Sequence, residues 1–187
     1  MRIIAGDFKG SSLHISKTKN TRPLKDLVRE SIFNLLTHSN KIQTKLEESN
    51  ILDLYAGTGS FGLECLSRKA KRVFFIESNN EAIKILEKNI QKLKVTSKTE
   101  VFFNDIFSII EKQNIINIQF DLIFCDPPFE DKNTENLINL IFNKNLLNKN
   151  GIIILHRNKN IKEKIPNFFQ VLDEREYGIS KITFGKF

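Results

Sequence analysis

The sequence predicts an α/β protein with a mostly parallel sheet that carries helices on both faces. From Asn50 onward, short apolar segments alternate with longer segments in which apolar residues recur at helical spacing. The apolar segments ILDLY and RVFFIE have almost no polar side, which is typical of strands buried between two layers of helices. Strand–helix alternation of this kind favours parallel pairing of the strands.

Seven strands are expected in this sheet. Five of them lie in the alternating part of the chain, at ILDLY, RVFFIE, EVFF, FDLIF and GIIILH. The tail adds two strand-like segments joined at Gly178, FFQVLDEREY and ISKITFGKF, which predict a terminal antiparallel hairpin. Ser78 and Glu81 have the spacing of a capping box, so we expect the helix NNEAIKILEKNIQKL to begin there.

The chain divides into an N-terminal extension, residues 1–40, and a sheet domain, residues 41–187. Two short apolar stretches around the first two glycines of the extension predict a small β-hairpin. The basic loop SKTKNTRP follows. Thr21 can then cap, and Pro23 can start, a helix along LKDLVRESIFNLL.

The charge balance favours a polyanionic partner. The chain of 187 residues has 29 Lys and Arg against 22 Asp and Glu, a formal net charge of +7, and a basic surface attracts nucleic acid through counterion release. A coding bias toward lysine would give the same balance. No apolar run approaches bilayer-spanning length, and the N-terminus lacks the apolar core of a signal peptide. The scattered cysteines and histidines predict a reducing cytoplasm and no metal site.

A glycine-rich loop follows the first strand of the sheet, in LDLYAGTGSFG. Ligands of open α/β sheets bind at the carboxyl ends of the strands, and glycines let the backbone approach them closely. Glu77 ends the second strand, where its carboxylate can accept both hydroxyls of a ribose, and two polar residues end the third strand beside the expected adenine. The candidate cofactor-binding residues are Asp53, Ala56, Gly57, Thr58, Gly59, Glu77, Asn104 and Asp105.

The acid before this loop distinguishes between two cofactors. The glycines spell G-x-G-x-x-G, which also occurs in dinucleotide sites, and glycines alone can simply form a tight turn. Asp53 would repel an anionic pyrophosphate, whereas it can face the cationic amino-acid end of S-adenosylmethionine. Together with Glu77 and Asp105 at the following strand ends, it favours S-adenosylmethionine.

The sequence DPPF ends the fourth strand and predicts a catalytic loop, which consists of Asp126, Pro127, Pro128 and Phe129. An exocyclic amino group of a base is a poor nucleophile because its lone pair is delocalised into the ring. Two acceptors aimed at its N–H groups, the Asp126 carboxylate and the Pro127 carbonyl, favour the tetrahedral geometry that attack requires. The prolines have no N–H and a fixed φ, and Phe129 offers a ring on which a flipped-out base can stack. A plain turn after the strand is the structural alternative.

These motifs resemble those of the Rossmann-like class I S-adenosylmethionine-dependent methyltransferases, whose fourth motif is (D/N)PP(F/Y). More narrowly, the chain is similar to the RsmD family of bacterial 16S ribosomal RNA guanine-N2 methyltransferases. The similarity extends over nearly the whole chain, through MRIIAGDFKG, TRPLKDLVRESIFNLL, LDLYAGTGSFGLECLSRKA and DPPF. It implies methylation of N2 of one guanine in 16S rRNA during assembly of the small subunit. We further expect a cytoplasmic monomer that uses no metal and no membrane.

Basic residues of the extension gain a role from this resemblance. We expect them to form a phosphate-contacting surface near the mouth of the pocket, with Lys9, Arg22, Lys25 and Arg29 as its members. Arginine binds phosphate bidentately, whereas for each lysine a solvated position is the alternative. The chain departs from the family in ILHRNK, where His156 stands in place of an acid. Taken alone, His156 is typical of an ordinary surface or strand-end histidine.

Three other functions stay open on the sequence. An adenine-N6 or protein glutamine methyltransferase would use the same DPPF chemistry, although 187 residues leave little room for the target-recognition region of a specific DNA enzyme. An NAD-dependent oxidoreductase would use the glycine loop but has no use for DPPF. A catalytically silent RNA-binding protein would not need Asp126 and Glu77.

Overall fold

The computed structural model describes residues 1–16, 24–42, 44–112, 118–162 and 164–187. The strands are β1 (Asn50–Leu54), β2 (Arg72–Glu77), β3 (Thr99–Phe103), β4 (Phe120–Cys125), β5 (Leu147–Asn158), β6 (Gln170–Tyr177) and β7 (Ser180–Lys186). The helices are α1 (Asp26–His38), α2 (Ser60–Ser67), α3 (Asn80–Leu93), α4 (Ile106–Lys112) and α5 (Thr134–Asn143), with a 3₁₀ turn at Thr96–Lys98. Within these ranges no helix has the length and apolarity to cross a membrane.

The strands form one sheet of seven, in the order β3-β2-β1-β4-β5-β7-β6. Strands β1 to β5 pair in parallel, and β7 pairs antiparallel with both β5 and β6. This confirms the fold class and the terminal hairpin that the sequence predicts. The chain proceeds outward from β1 in two directions, through β2 on one side and β4 on the other. A crevice therefore opens between the loops that follow β1 and β4, where an open sheet binds its ligands.

The sheet separates two hydrophobic clusters, one on each face. Successive residues of a strand point to opposite faces, so in β1 Ile51 belongs to one cluster and Leu52 to the other. The N-terminal segment, α1, α2 and α3 cover the first face, and α4 and α5 cover the second. Burial on both faces explains why ILDLY and RVFFIE are apolar almost throughout.

Helix α1 packs on the sheet through a stack of three aromatic rings. The ring centroids of Phe33 and Phe61 lie 5.1 Å apart, and those of Phe61 and Phe124 lie 3.9 Å apart. This stack ties α1 to α2 and to β4. The helix begins at Asp26, later than the sequence predicts, and the predicted start at Pro23 lies outside the described residues.

Helix α3 begins at a different cap from the predicted one. Its N-cap is Asn79, whose side chain accepts a hydrogen bond from the Ala82 amide at 3.0 Å. The predicted capping box of Ser78 and Glu81 is therefore wrong. Asparagine is as good an N-cap as serine, and here the chain uses the residue one position later.

The N-terminal segment is bound to α2 through a buried carboxylate. Glu64 is fully buried and accepts hydrogen bonds from the backbone amides of Ile4 at 2.7 Å and Ala5 at 3.0 Å. The predicted hairpin is reduced to a single antiparallel bridge between Arg2 and Ser12. The Glu64 carboxylate thus accepts hydrogen bonds from two backbone amides of this segment. In a longer hairpin, such amides would donate to the opposite strand.

We expect Glu64→Ala to lower the free energy of unfolding by about 3 kcal/mol, because it leaves buried amides without an acceptor. Urea denaturation measures this change. The control Glu87→Ala removes an exposed carboxylate from α3 and should shift stability by less than about 0.5 kcal/mol. Equal stability of the two variants would show that the contacts of Glu64 contribute nothing measurable.

Candidate active site

A cleft opens at the carboxyl ends of β1 and β4, with an empty volume of about 440 Å³ that includes space open to solvent. It is lined by the first residue of the predicted basic loop, the residue directly after that loop, the end of β1 with its glycine-rich loop, the start of α2, and the end of β4. The lining residues are Ser16, Leu24, Asp53, Tyr55, Ala56, Gly57, Thr58, Ser60, Phe61, Phe124 and Asp126. The cleft therefore brings the predicted glycine-rich loop and the predicted catalytic aspartate into one site.

Positive φ angles shape the glycine-rich loop. Gly57 has a φ of +56° and Gly59 a φ of +82°, a region that glycine enters without steric cost. A Cβ on Gly59 would lie 2.3 Å from Cδ1 of Leu86, so the packing of α3 leaves no room for a side chain. The loop thus has glycine where the backbone turns and where a helix approaches.

Glu77 closes this loop onto the end of β2. Its Oε2 accepts a hydrogen bond from the Gly57 amide at 2.7 Å, and its Oε1 accepts from the amides of Ser78 at 2.9 Å and Asn79 at 2.7 Å. A carboxylate offers about four acceptor positions. Glu77 therefore supports the loop and keeps acceptor capacity for a ligand hydroxyl.

Asp53 is a buried carboxyl group at the bottom of the cleft. Burial raises the pKa of Asp53 well above its usual range, an effect that the nearby acids Asp126 and Glu77 reinforce and the hydrogen bond from the Gly62 amide opposes. That bond joins the Gly62 amide to Asp53 Oδ2 at 3.0 Å. Carboxyl groups at this position suit a cationic ligand group, because a nearby cation favours the charged form of a carboxyl. Within the described ranges, no cluster of acids, histidines and cysteines has the arrangement of a metal site.

Asn104 and Asp105 lie at the same edge of the sheet, after β3 and beyond Glu77. Both side chains are exposed. Asp105 Oδ1 accepts a hydrogen bond from the Ser108 amide at 3.0 Å, which caps α4, and Asn104 Oδ1 accepts from the Asp105 amide at 2.8 Å. Neither residue is among those that line the cleft.

The loop DPPF leaves β4 directly beside the cleft. Asp126 enters the cleft, Pro127 is buried, and Phe129 is partly exposed. Nη1 of Arg157 donates to the Pro128 carbonyl at 2.9 Å. This arginine, which the sequence does not single out, therefore fixes the loop from β5.

His156 is the second residue of β5 that contacts this loop. Its Nδ1 lies 2.8 Å from Asp126 Oδ1, and its Nε2 lies 2.9 Å from the Ser180 hydroxyl oxygen. Only 3% of the His156 side chain is exposed, so the interpretation as an ordinary surface histidine is wrong. The signal available in the sequence was its departure from the family, since His156 stands where an acid is expected.

The prediction that Arg29 contacts RNA, one of four such residues, is wrong. Its side chain is fully buried, and its Nη2 donates to the Arg2 carbonyl. Burial lowers the pKa of the Arg29 guanidinium. Arg29 therefore ties α1 to the N-terminal segment and cannot contact phosphate in this fold. Lys9 and Lys25 are exposed, and Arg22 lies outside the described residues.

This strand order, with a glycine loop after β1 and DPPF after β4, defines a class I S-adenosylmethionine-dependent methyltransferase, whose cofactor is S-adenosylmethionine. An Escherichia coli structure described as methyltransferase yhhF matches at a TM-score of 0.84 and 26% identity, covering 99% of this chain and 96% of that one. The fold is shared by SMU.776, described as a methyltransferase complexed with SAH, at a TM-score of 0.61 and 15% identity over 82% of this chain and 49% of that one.

The chain belongs to the family described as conserved hypothetical protein 95, whose model matches residues 1–186. Ribosomal RNA small subunit methyltransferase D of Haemophilus influenzae is 35% identical over 179 residues, which cover 96% of this chain and 90% of that protein. These matches confirm the RsmD-like family that the sequence motifs predict. They extend over both the N-terminal extension and the sheet domain.

The buried Asp53 predicts a pH dependence of stability. An acid whose pKa is raised on folding keeps its proton in the folded chain after the unfolded chain has lost it. Stability therefore falls as the pH rises from the ordinary value of 3.8 toward the raised value, by up to about 1.4 kcal/mol per pH unit. Asp53→Asn removes this loss and can still accept from the Gly62 amide.

We expect the stability gained by Asp53→Asn, measured by urea denaturation without ligand, to be small near pH 4 and to grow toward pH 7. Because the free energies of unfolding of variant and wild type are compared at each pH, the titration of the other groups cancels. A difference that stays constant with pH would contradict a raised pKa at Asp53.

Proposed function

We propose that the chain transfers the methyl group of S-adenosylmethionine to the exocyclic N2 of one guanine in 16S rRNA, in the cytoplasm and during assembly of the small subunit. The observation that carries the proposal is the place of Asp126. It follows β4, lines the cleft beside the glycine-rich loop, and has one oxygen held by His156. The Haemophilus influenzae relative, a ribosomal RNA small subunit methyltransferase, supports the substrate class.

The residues around the cleft fit the cofactor. We assign its cationic amino-acid end to the neighbourhood of Asp53 and of the loop residues Ala56, Gly57, Thr58 and Gly59. One ribose hydroxyl is assigned to Glu77, which keeps about one acceptor position beside the amides of Gly57, Ser78 and Asn79. Asn104 and Asp105, at the next strand end, are assigned to the adenine. When bound, S-adenosylmethionine supplies an electrophilic methyl group on a sulfonium.

The DPPF loop would act on the target amino group. The Asp126 carboxylate and the Pro127 carbonyl accept its N–H groups, which favours a tetrahedral nitrogen and stabilises the positive charge that develops there. Phe129 is partly exposed and offers a stacking face for the base. Positioning of the amino group supplies much of the rate, because well-aligned reacting groups avoid the entropic cost of encounter.

The N-terminal extension is the proposed RNA-contacting part. Ser16, the first residue of the predicted basic loop, and Leu24, directly after that loop, line the cleft. Lys9 and Lys25 are exposed, and with Arg22 they remain the proposed phosphate contacts. A formal net charge of +7 adds long-range attraction to RNA.

Transfer of radiolabelled methyl groups tests the proposed reaction. The substrates are naked 16S rRNA and small-subunit particles from a strain that lacks the modification, followed by nucleoside digestion and chromatography. We expect label in N2-methylguanosine, and the better of the two substrates shows the stage of assembly. Label in another nucleoside or in protein would overturn the target. Absence of label while cofactor binds would overturn the rRNA methylation itself.

We expect Asp126→Ala to lower kcat by at least about 10²-fold, because it removes an acceptor that acts as charge develops. Cofactor affinity, measured by calorimetry, should stay within a few-fold of wild type. Glu130→Ala is the matched control, since Glu130 is an exposed acid next to the same loop. Full activity of Asp126→Ala would refute the proposed role of DPPF.

Glu77→Ala should instead weaken the binding of S-adenosylmethionine by about 10- to 100-fold, the equivalent of one or two hydrogen bonds to a charged group. Calorimetry measures this affinity directly. The control Glu100→Gln changes an acid on β3 that pairs with Arg72, away from the cleft, and should bind normally. Unchanged affinity in Glu77→Ala would remove Glu77 from the cofactor site.

A further inference from the structure

His156 connects the proposed catalytic loop to the antiparallel edge of the sheet. It stands near the end of β5, between Asp126 after β4 and Ser180 at the start of β7. The distances are 2.8 Å from Nδ1 to Asp126 Oδ1 and 2.9 Å from Nε2 to the Ser180 hydroxyl. The β4–β5 and β5–β7 ladders fix the backbone on both sides of the ring, and the histidine side chain is almost fully buried.

The partners determine which nitrogen donates. An ionised carboxylate only accepts hydrogen bonds, so the hydrogen of the contact with Asp126 belongs to Nδ1. The Ser180 hydroxyl can donate to a bare Nε2 or accept from a protonated one. The Nδ1–H therefore points at Asp126 Oδ1 in either charge state of the ring.

We propose that His156 is a positioning residue: its Nδ1–H holds Oδ1 of Asp126 and thereby fixes the orientation of the carboxylate that lines the cleft. This inference rests on the role proposed above for Asp126. A carboxylate on a loop can rotate about its own bonds, and a bond to one oxygen from a ring clamped by two strands restricts that rotation. The proposal concerns orientation, and the ring itself does not touch the reacting atoms.

Two further contacts from β5 support this role. The Phe129 ring meets His156 edge-on, with centroids 5.7 Å apart and planes at 77°. Arg157 donates to the carbonyls of Pro128 and Asp131. Successive residues of one strand thus hold the two ends of the DPPF loop. Contacts from β5 thus hold Asp126 itself and the backbone that follows Pro127.

Two substitutions of His156 separate the hydrogen bond from packing. His156→Leu fills the space without a donor, and His156→Asn places an amide N–H close to the position of Nδ1–H. We expect the leucine variant to lower kcat on the order of 10²-fold, the effect of a misplaced catalytic group, with unchanged affinity for S-adenosylmethionine. The asparagine variant should recover most of that loss. Equal losses in both variants, or wild-type kcat in His156→Leu, would overturn the proposal.

Ser180→Ala tests the same arrangement without altering the ring. It removes the partner of Nε2, so we expect a lower kcat at unchanged KM, with a smaller loss than in His156→Leu. Thr183→Val is the matched control, because it also removes a buried hydroxyl from β7, one that donates to Glu174 instead. Equal losses of kcat in the two variants would indicate general damage to β7 and would overturn the proposal.

A spectroscopic measurement separates this inference from the proposed function. ¹H–¹⁵N correlation of imidazole nitrogens shows whether Nδ1 is protonated, and no substrate is needed. The chain has three histidines, so the signals lost in His156→Asn belong to His156. Protonated Nδ1 is the expected result, even if the methylated base is not guanine. A bare Nδ1 would overturn the proposal, even in an enzyme that methylates guanine.

Discussion

The parallel ladder between β1 and β4 is the constraint on which the site depends. Leu54 and Cys125 are its last register pair, so the chain leaves both strands at one point of the sheet. From there the glycine-rich loop turns into α2, and Asp126 enters the cleft. The ladder is held by apolar burial on both faces, which also excludes water from the strand ends. It keeps Asp53 and Asp126 close together, and this neighbour adds to the burial that raises the pKa of Asp53, whereas the hydrogen bond from the Gly62 amide opposes that rise.

Buried charges attach the N-terminal segment to this frame. Glu64 takes two amides of the segment, and Arg29 donates to a carbonyl of the same segment from α1. Both charges are buried, and each contacts backbone of the segment, so removing either one leaves a buried partner without its contact. Ser16 and Leu24, farther along the extension, line the cleft. The extension thus contributes to the walls of the cleft.

The sheet and the glycine-rich loop were predictable because their signals are local. Apolar periodicity identifies a doubly buried strand within a few residues, and glycine spacing identifies a turn at its end. The partners of polar side chains were not predictable in this way. Arg29 has the sequence context of an exposed helix face, and it is buried only because the N-terminal segment folds over it. His156 meets Asp126 and Ser180 only because β5 lies between β4 and β7, an order that no local pattern contains.

The two proposed acceptors, the Asp126 carboxylate and the Pro127 carbonyl, each need a fixed orientation. A carboxylate that polarises an amino group needs one oxygen fixed by the protein and the other directed at the substrate. A carbonyl acceptor needs a backbone that does not rotate. The fixed φ of proline favours this, and so does the hydrogen bond from Arg157 to the Pro128 carbonyl. Neither condition can be met by a loop that is attached only at its own ends. Because β5 contacts DPPF through two successive side chains, the loop acquires the rigidity of the sheet, which is the preorganisation that electrostatic stabilisation requires.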